Sequence, residues 1–183
     1  MTRIISGKFG GRRIDVPKAN TRPTSDRVRE ALFASLNSRL GSFAELHVLD
    51  LYAGSGALGI ESLSRGAAGA EFVDAASAAV RVIKKNLAEL GIDAKVHQRK
   101  ASAYCAQGGQ RFDLVFLDPP YDVKNAEIIE VLALLAGNDR LNEEALIVVE
   151  RAKGAGFDWP AQYEQVDQRE YGQTALWYGH FHG

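Results

Sequence analysis

The sequence contains one cysteine, Cys105, in 183 residues. A single cysteine forms neither an internal disulfide nor a thiolate zinc cluster, and it is expected to pack as a small apolar side chain. His180 and His182 are too few to complete a metal site, so no metal is expected. No apolar run approaches the roughly 18 residues of a membrane helix. No signal-peptide core follows Met1. Together these absences predict a cytoplasmic protein without metal or membrane.

Charge is unevenly distributed along the chain. Residues 1–40 hold nine Lys or Arg and three Asp or Glu, whereas the remainder holds thirteen and twenty. A basic arm on an acidic body is a candidate contact surface for a polyanion. On charge alone, the favoured interpretation is that the arginines of this segment lie on a solvated face. They are Arg12, Arg13, Arg22, Arg27 and Arg29.

The pattern of apolar residues predicts an α/β fold. The first 40 residues read as a hairpin (3–6 and 12–16) and a helix that Thr24 or Ser25 caps and that ends at Leu40. Strands at 46–51, 70–74, 94–98, 112–118 and 145–150 then alternate with helices at 57–65, 77–90, after 101 and at 125–135. Near-continuous apolar strands between helices indicate a parallel, doubly wound sheet covered on both faces. Residues 163–169 and 174–181 read as a closing antiparallel hairpin. We divide the chain into a basic extension (1–40) and a main domain (41–183).

A glycine-rich loop follows the first strand of that domain. In "LDLYAGSGALGIE", Gly54, Gly56 and Gly59 form G-x-G-x-x-G between a strand and a helix. These glycines allow a tight turn and close approach of a ligand to the backbone. Asp74 ends the next strand, where it could bind ribose hydroxyls. The pattern fits a dinucleotide or another nucleoside cofactor.

Asp50 narrows the choice of cofactor. It sits at the carboxyl end of the strand, four residues before Gly54, and a carboxylate there would repel a pyrophosphate. It would suit a cofactor with a positive ammonium or sulfonium, which describes S-adenosylmethionine (SAM). The same repulsion weakens the alternative of an NAD-dependent oxidoreductase.

The segment "FDLVFLDPPYD" places a carboxylate, two prolines and an aromatic ring where another strand ends. The Asp118 side chain and the Pro119 carbonyl could accept the two hydrogens of an exocyclic amine on a purine. This would favour a more tetrahedral nitrogen whose lone pair is available for methylation. Pro119 and Pro120 would hold the acceptors in place, as preorganised catalysis requires. Tyr121 offers a flat surface for a base that has left its stack.

The motifs "DLYAGSGALGIE", "VD" and "LDPPY" resemble the amino-methyltransferase branch of the SAM-dependent methyltransferases. The segments "RIISGKFGGRRIDVP", "TRPTSDRVREALFASL" and "YGQTALWY" are similar to the bacterial family that methylates guanine N2 in 16S ribosomal RNA. The resemblance covers essentially the whole chain. It implies a Rossmann-like methyltransferase fold, SAM as cofactor, and 16S rRNA, within a small ribosomal subunit or an assembly intermediate, as partner. Nothing in the sequence requires more than a monomer.

The resemblance implies three groups of site residues. The catalytic group is Asp118, Pro119, Pro120 and Tyr121. The cofactor group is Asp50, Tyr52, Gly54, Ser55, Gly56, Ala57, Leu58, Asp74, Ala75, Lys100 and Ala101. The RNA-binding group is Lys8, Arg12, Arg13, Arg22, Thr24, Arg27 and Arg29, with Arg22 and Thr24 near the cofactor or target base.

Two positions depart from the family pattern. Ala76 stands where the family usually has an acidic residue, so capping of the next helix is expected to shift to Ser77. Lys100 stands where an Asp or Asn would accept from the adenine amine, and lysine has no acceptor. Adenine recognition is therefore expected to rely on the Ala101 backbone and apolar walls.

Two other functions remain as alternatives. The same motif serves adenine N6 in DNA, but only 61 residues separate Gly56 from Asp118, which leaves no room there for a DNA-reading domain. A structured RNA that presents its own target suits so small a protein better. A non-catalytic RNA-binding module is disfavoured by the intact loop and motif.

Overall fold

The computed structural model describes residues 1–18 and 25–183. A two-stranded antiparallel hairpin and one helix precede a seven-stranded sheet whose strands alternate with helices. The elements are β1 (Thr2–Arg3), β2 (Arg13–Ile14), α1 (Asp26–Leu40), β3 (His47–Leu51), α2 (Ala57–Ser64), β4 (Gly69–Asp74), α3 (Ser77–Leu90), β5 (Lys95–Gln98), α4 (Ala101–Cys105), β6 (Phe112–Leu117), α5 (Asn125–Gly137), β7 (Leu141–Ala152), β8 (Tyr163–Tyr171) and β9 (Thr174–Phe181). No helix in these ranges is long and apolar enough to cross a membrane.

The large sheet has the strand order β5-β4-β3-β6-β7-β9-β8. The first five strands of this order are mutually parallel, and β9 and β8 add an antiparallel hairpin. The chain builds outward from β3 to β5 and then returns to place β6 on the other side of β3. The strand order therefore switches between β3 and β6, where open α/β sheets bind ligands beyond the carboxyl ends of their strands. The predicted fold class is confirmed, and β6 lies directly beside β3.

Two apolar clusters cover the two faces of the sheet. Successive strand residues point to opposite faces, so Phe116 lies in one cluster and Leu117 in the other. Phe33 of α1 packs against Phe116, with ring centroids 5.9 Å apart. Helix α1 thus contributes to the main hydrophobic core, and residues 1–18 and 25–40 are packed onto the rest of the molecule.

Glu61 anchors the N-terminal hairpin to α2. Its fully buried carboxylate accepts hydrogen bonds from the backbone N–H groups of Ile5 (2.7 Å) and Ser6 (3.0 Å). Gly7 then passes so close to α2 that a Cβ there would lie 1.9 Å from the Ser64 carbonyl oxygen, and its φ is +84°. Only glycine fits that position, which explains the first glycine of the "ISGKFGG" segment.

Several boundaries differ from the predicted ones for identifiable reasons. Strand β7 begins at Leu141, earlier than predicted, because that residue pairs with Phe112 before the register shifts. It continues to Ala152, which pairs with Thr174 of β9.

Cys105 is fully buried, as predicted, and burial raises the pKa of its thiol to about 12.

The predicted shift of helix capping to Ser77 is wrong. Ala76 is the N-cap residue of α3 and has no side chain that could cap it. Asp74 supplies an acceptor instead, since its Oδ1 receives a hydrogen bond from Ala76 N at 2.8 Å.

Candidate active site

A large cleft opens beyond the carboxyl ends of β3, β4 and β6. Its volume is about 1220 Å³, more than the roughly 300–1,000 Å³ of a typical small-molecule pocket. The glycine loop and the end of β4 form one wall, and the loop after β6 with the start of α5 forms another. The cleft has room for a nucleoside cofactor and part of a second molecule.

Asp50 lies at the bottom of this cleft with only 1% of its surface exposed. Its Oδ2 accepts a hydrogen bond from Gly59 N at 2.9 Å. Burial raises the pKa of this carboxyl well above its ordinary value, against that hydrogen bond, and the nearby Asp118 and Asp74 add to the rise. A cationic ligand would lower the free-energy cost of ionising this carboxyl, whereas an anion would increase it.

The three glycines of the loop have different roles. Gly54 has φ +59° and donates its N–H to Asp74 Oδ2 at 2.9 Å. Gly56 caps α2 in the left-handed region with φ +78°. A Cβ on Gly59 would lie 2.4 Å from Cε1 of Phe72. Two glycines therefore shape the turn, and the third lets α2 pack closely on the sheet.

Asp74 joins β4 to the glycine loop and to α3 by accepting from Gly54 N and Ala76 N. Its side chain also forms part of the cleft wall. Each carboxylate oxygen has two lone pairs, so both oxygens retain capacity to accept from a ligand hydroxyl.

Hydrogen bonds stabilise the Asp118–Tyr121 corner, which follows β6. Val123 N donates to the Pro120 carbonyl at 3.0 Å, which closes a turn around Tyr121. The buried Arg151 donates from Nη2 to the Val123 carbonyl at 2.7 Å. Together with the fixed proline φ angles, these bonds hold the turn that follows Asp118 at the edge of the cleft.

The ring of Tyr121 is 45% exposed at the mouth of the cleft. Its hydroxyl lies 3.3 Å from Thr174 Oγ1, and Thr174 in turn donates to Glu150 Oε1 at 3.4 Å. Since threonine has one hydroxyl hydrogen, Tyr121 is the donor in the first contact. The aromatic surface is thereby tied to the last strands of the sheet.

Tyr52 connects the glycine loop to α5. It has a left-handed backbone with φ +58°, uncommon for a bulky side chain, and its hydroxyl donates to Glu127 Oε1 at 3.2 Å. Burial, followed by the Glu127 carboxylate, raises the pKa of this phenol, so it remains a hydrogen-bond donor at neutral pH.

The sequence model of the protein family described as "Conserved hypothetical protein 95" matches residues 2–180. The chain belongs to this family. Ribosomal RNA small subunit methyltransferase D of Escherichia coli K12 is 40% identical over 176 residues, covering 94% of this chain and 86% of the relative. The protein of the same name in Haemophilus influenzae is 35% identical over 176 residues, covering 93% and 89%.

A solved structure, the yhhF protein of Escherichia coli, superposes with a TM-score of 0.87. It is 37% identical and covers 99% of this chain and 98% of its own. The family resemblance and the fold predicted from the motifs are confirmed.

The cleft brings together most residues that the sequence predicts for it. All four predicted catalytic residues line it, and so do the predicted cofactor residues Asp50, Tyr52, Gly54, Ser55, Ala57, Leu58, Asp74, Ala75, Lys100 and Ala101. Gly56 is the exception, because it lies buried behind the loop near Phe72, Ile60 and Ile83. Lys100 is exposed at the start of α4.

The predicted RNA-binding residues are placed less uniformly. Lys8, Arg12, Arg13 and Arg27 are exposed, and Arg12 also donates to the Glu89 carbonyl at the end of α3 at 2.8 Å. Arg22 and Thr24 lie outside the described residues.

The structure contradicts the expected surface position of Arg29. This side chain is only 1% exposed, because the hairpin closes over the face of α1 that carries it. Its Nη2 lies 2.7 Å from each of Thr2 Oγ1, the Arg3 carbonyl oxygen and Asp26 Oδ1, so two of these acceptors share one of its two hydrogens. Arg29 lines the inner end of the cleft and joins hairpin to helix.

Sequence reasoning missed Glu150, Arg151 and Thr174. A signal exists in the segment "ALIVVERA", where two charged residues end an otherwise apolar strand. In a parallel sheet, residues at that end face the ligand side.

Among the residues that the structure describes, no group of three or more His, Cys, Asp or Glu could hold a metal ion.

Proposed function

We propose that this protein transfers a methyl group from SAM to the exocyclic N2 amine of a guanine in small-subunit ribosomal RNA. Family membership supports methylation of small-subunit rRNA. The observation that carries the rest of the proposal is the position of the Asp118–Tyr121 corner, which opens into the same cleft as Asp50 and the glycine loop.

The residues of the cleft fit SAM. The buried Asp50 carboxylate, whose pKa burial raises, suits the ammonium or sulfonium charge and disfavours a pyrophosphate. Asp74 offers acceptors for ribose hydroxyls, and Val73 with Ala101 offers an apolar wall for the adenine. When bound, SAM supplies an electrophilic methyl group.

Asp118 and Pro119 would prepare the amine. The Asp118 carboxylate and the Pro119 carbonyl accept hydrogen bonds from its two N–H groups. These bonds favour a tetrahedral nitrogen whose lone pair is no longer conjugated with the ring. The rigid corner holds both acceptors before reaction, so little reorganisation is needed during it. Once methylated, the nitrogen must lose a proton, and the Asp118 carboxylate already bonded to it is the base in contact.

Tyr121 would hold the extruded base. Its exposed ring lies at the cleft mouth beside the corner, and stacking on an aromatic side chain contributes roughly 1–3 kcal/mol per base. The hydrogen bond of its hydroxyl to Thr174 holds the hydroxyl end of the ring in place.

The exposed cations of the hairpin are the proposed contact with the RNA backbone. Changing Arg12 and Arg13 together to Ala should weaken RNA binding and reduce the slope of log affinity against log salt by about 1 for each lost phosphate contact. Fluorescence anisotropy across a salt series measures both quantities. Lys95→Ala with Arg111→Ala is the matched control, because it removes two exposed cations at the amino ends of strands.

The control should leave the slope unchanged. Because Arg12 also binds the end of α3, thermal unfolding should be compared in parallel. An Arg12, Arg13 variant that folds normally and keeps the full salt slope would show that the hairpin does not contact RNA.

The monomeric state and the cytoplasmic location remain predictions.

Nucleoside analysis of ribosomal RNA tests the proposed function. In a strain that lacks the gene, small-subunit RNA should lose one N2-methylguanosine. A plasmid carrying the wild-type protein should restore it. Undiminished N2-methylguanosine in the deletion strain would refute the assignment, and loss of N6-methyladenosine from DNA would favour the adenine alternative.

A further inference from the structure

Glu150 stands beside Asp118 at the carboxyl end of the neighbouring strand. Leu117 of β6 pairs with Val149 of β7, so Asp118 and Glu150 occupy the next positions of two strands about 4.8 Å apart. Both residues line the cleft, and both also line a small cavity beneath α1. The two carboxylates therefore face the same side of the sheet.

Glu150 is held in a largely dry environment. Its side chain is only 7% exposed, and its Oε1 accepts the hydrogen bond from Thr174 that continues from Tyr121. The proposed stacking ring and this carboxylate thus share one hydrogen-bonded chain. Burying a carboxylate costs free energy, and its place in the cleft wall gives it access to a bound base.

The Watson–Crick edge of a purine distinguishes guanine from adenine at the atom next to the amine. Guanine N1 carries a hydrogen, whereas adenine N1 carries a lone pair. An ionised carboxylate can only accept hydrogen bonds. If Asp118 and Pro119 hold the amine, an adjacent carboxylate attracts the N1–H of guanine and repels N1 of adenine.

We propose that Glu150 accepts the guanine N1–H and thereby selects guanine over adenine. This inference rests on the proposed function and adds a specificity-determining residue to it. It also explains how a corner suited to any exocyclic amine can be restricted to one base. A site built to hydrogen-bond a substrate N–H strongly rejects an analogue that lacks it.

The test compares guanine with 2-aminopurine at the target position, which nucleoside mapping in the deletion strain identifies. The analogue keeps the 2-amino group and lacks the N1–H. Small-subunit RNA carrying either base is assembled by ligation and supplied both naked and reconstituted into subunits. Wild-type protein should prefer guanine by about 100-fold or more in kcat/KM, since sites built to hydrogen-bond a group reject analogues that lack it.

Glu150→Gln should reduce that preference to below about tenfold, because an amide can donate to the N1 lone pair of the analogue. Equilibrium binding of both RNAs in the presence of S-adenosylhomocysteine gives a second readout and should show the same loss of preference. Glu143→Gln removes an exposed carboxylate near the other end of β7 and should keep the wild-type ratio.

The outcomes separate this inference from the proposed function. A folded Glu150→Gln variant with the wild-type preference, or a wild-type protein without a preference, would overturn the role of Glu150 while methylation of guanine stands. No methyl transfer to either form of the guanine RNA would overturn the proposed function as well. If Glu150→Gln fails to fold, Glu150→Asp should retain guanine selectivity at a lower rate, and loss of selectivity there would contradict this role.

Discussion

Asp118→Ala is expected to lower kcat by at least about 100- to 1,000-fold, the usual effect of removing one preorganised group that stabilises a transition state. The variant retains the Pro119 carbonyl but loses the acceptor that holds the second hydrogen of the amine. SAM affinity should stay within about tenfold of wild type, or roughly 1.4 kcal/mol, because Asp50, Asp74 and the glycine loop are unchanged. Single-turnover kinetics and calorimetry measure the two quantities separately.

Asp118→Asn provides the matched comparison. The amide oxygen can still accept a hydrogen bond, whereas the amide cannot take the proton that the methylated nitrogen releases. Its rate should lie between those of the wild type and Asp118→Ala. If Asp118→Ala instead lost SAM binding while remaining folded, Asp118 would be a cofactor-binding residue and the proposed chemistry would fail.

Asp50→Asn is expected to weaken SAM binding by about 10- to 100-fold at neutral pH, consistent with roughly 1.5–3 kcal/mol for a hydrogen bond to a charged group. The substitution is nearly isosteric, and the amide oxygen can still accept from Gly59 N, which wild-type Asp50 binds at 2.9 Å. The variant should therefore fold. Calorimetric titration with SAM measures the change, and unchanged affinity would exclude contact between Asp50 and the cofactor cation.

The raised pKa of Asp50 also predicts a pH dependence. A bound cation favours the ionised carboxylate, so binding releases a proton and SAM affinity should increase as pH rises through that raised pKa. In the empty protein the sign for stability is opposite. Because the folded-state pKa lies above the ordinary value of 3.8, Asp50 lowers the free energy of unfolding as pH rises between the two values. Asp50→Asn should lose both dependences.

Titrations at several pH values, in buffers with different ionisation enthalpies, detect the released proton directly. Binding by Asp50→Asn should release fewer protons than binding by the wild type. Proton uptake by the wild type, or the same release by both proteins, would contradict a cation held by Asp50.

The cleft could be predicted from sequence because its signals are local. Gly54 and Gly56 have positive φ angles, and glycine is the residue type that adopts them readily. Apolar strands with Asp50, Asp74 or Asp118 at or next to their carboxyl ends mark the ligand edge of a parallel sheet. These patterns do not depend on knowing which distant segments meet.

Other features depend on contacts between segments that are distant in the sequence, and they could not be predicted. Arg29 is buried because β1 closes over α1, which no periodicity within the helix reveals. The proximity of Glu150 to Asp118 follows from the pairing register of β6 and β7. Ala76 occupies the N-cap position of α3 without a capping side chain, and the acceptor for its N–H comes from Asp74 at the end of β4.

The most direct test of the central claim is methyl transfer by the purified protein. Small subunits and naked 16S rRNA from the deletion strain are incubated with methyl-labelled SAM, digested to nucleosides and separated by mass. The account predicts label in N2-methylguanosine alone, at one position, with Asp118→Ala incorporating it at least about 100-fold more slowly. Label in any other nucleoside, or none from the folded wild-type protein with either substrate, would contradict it.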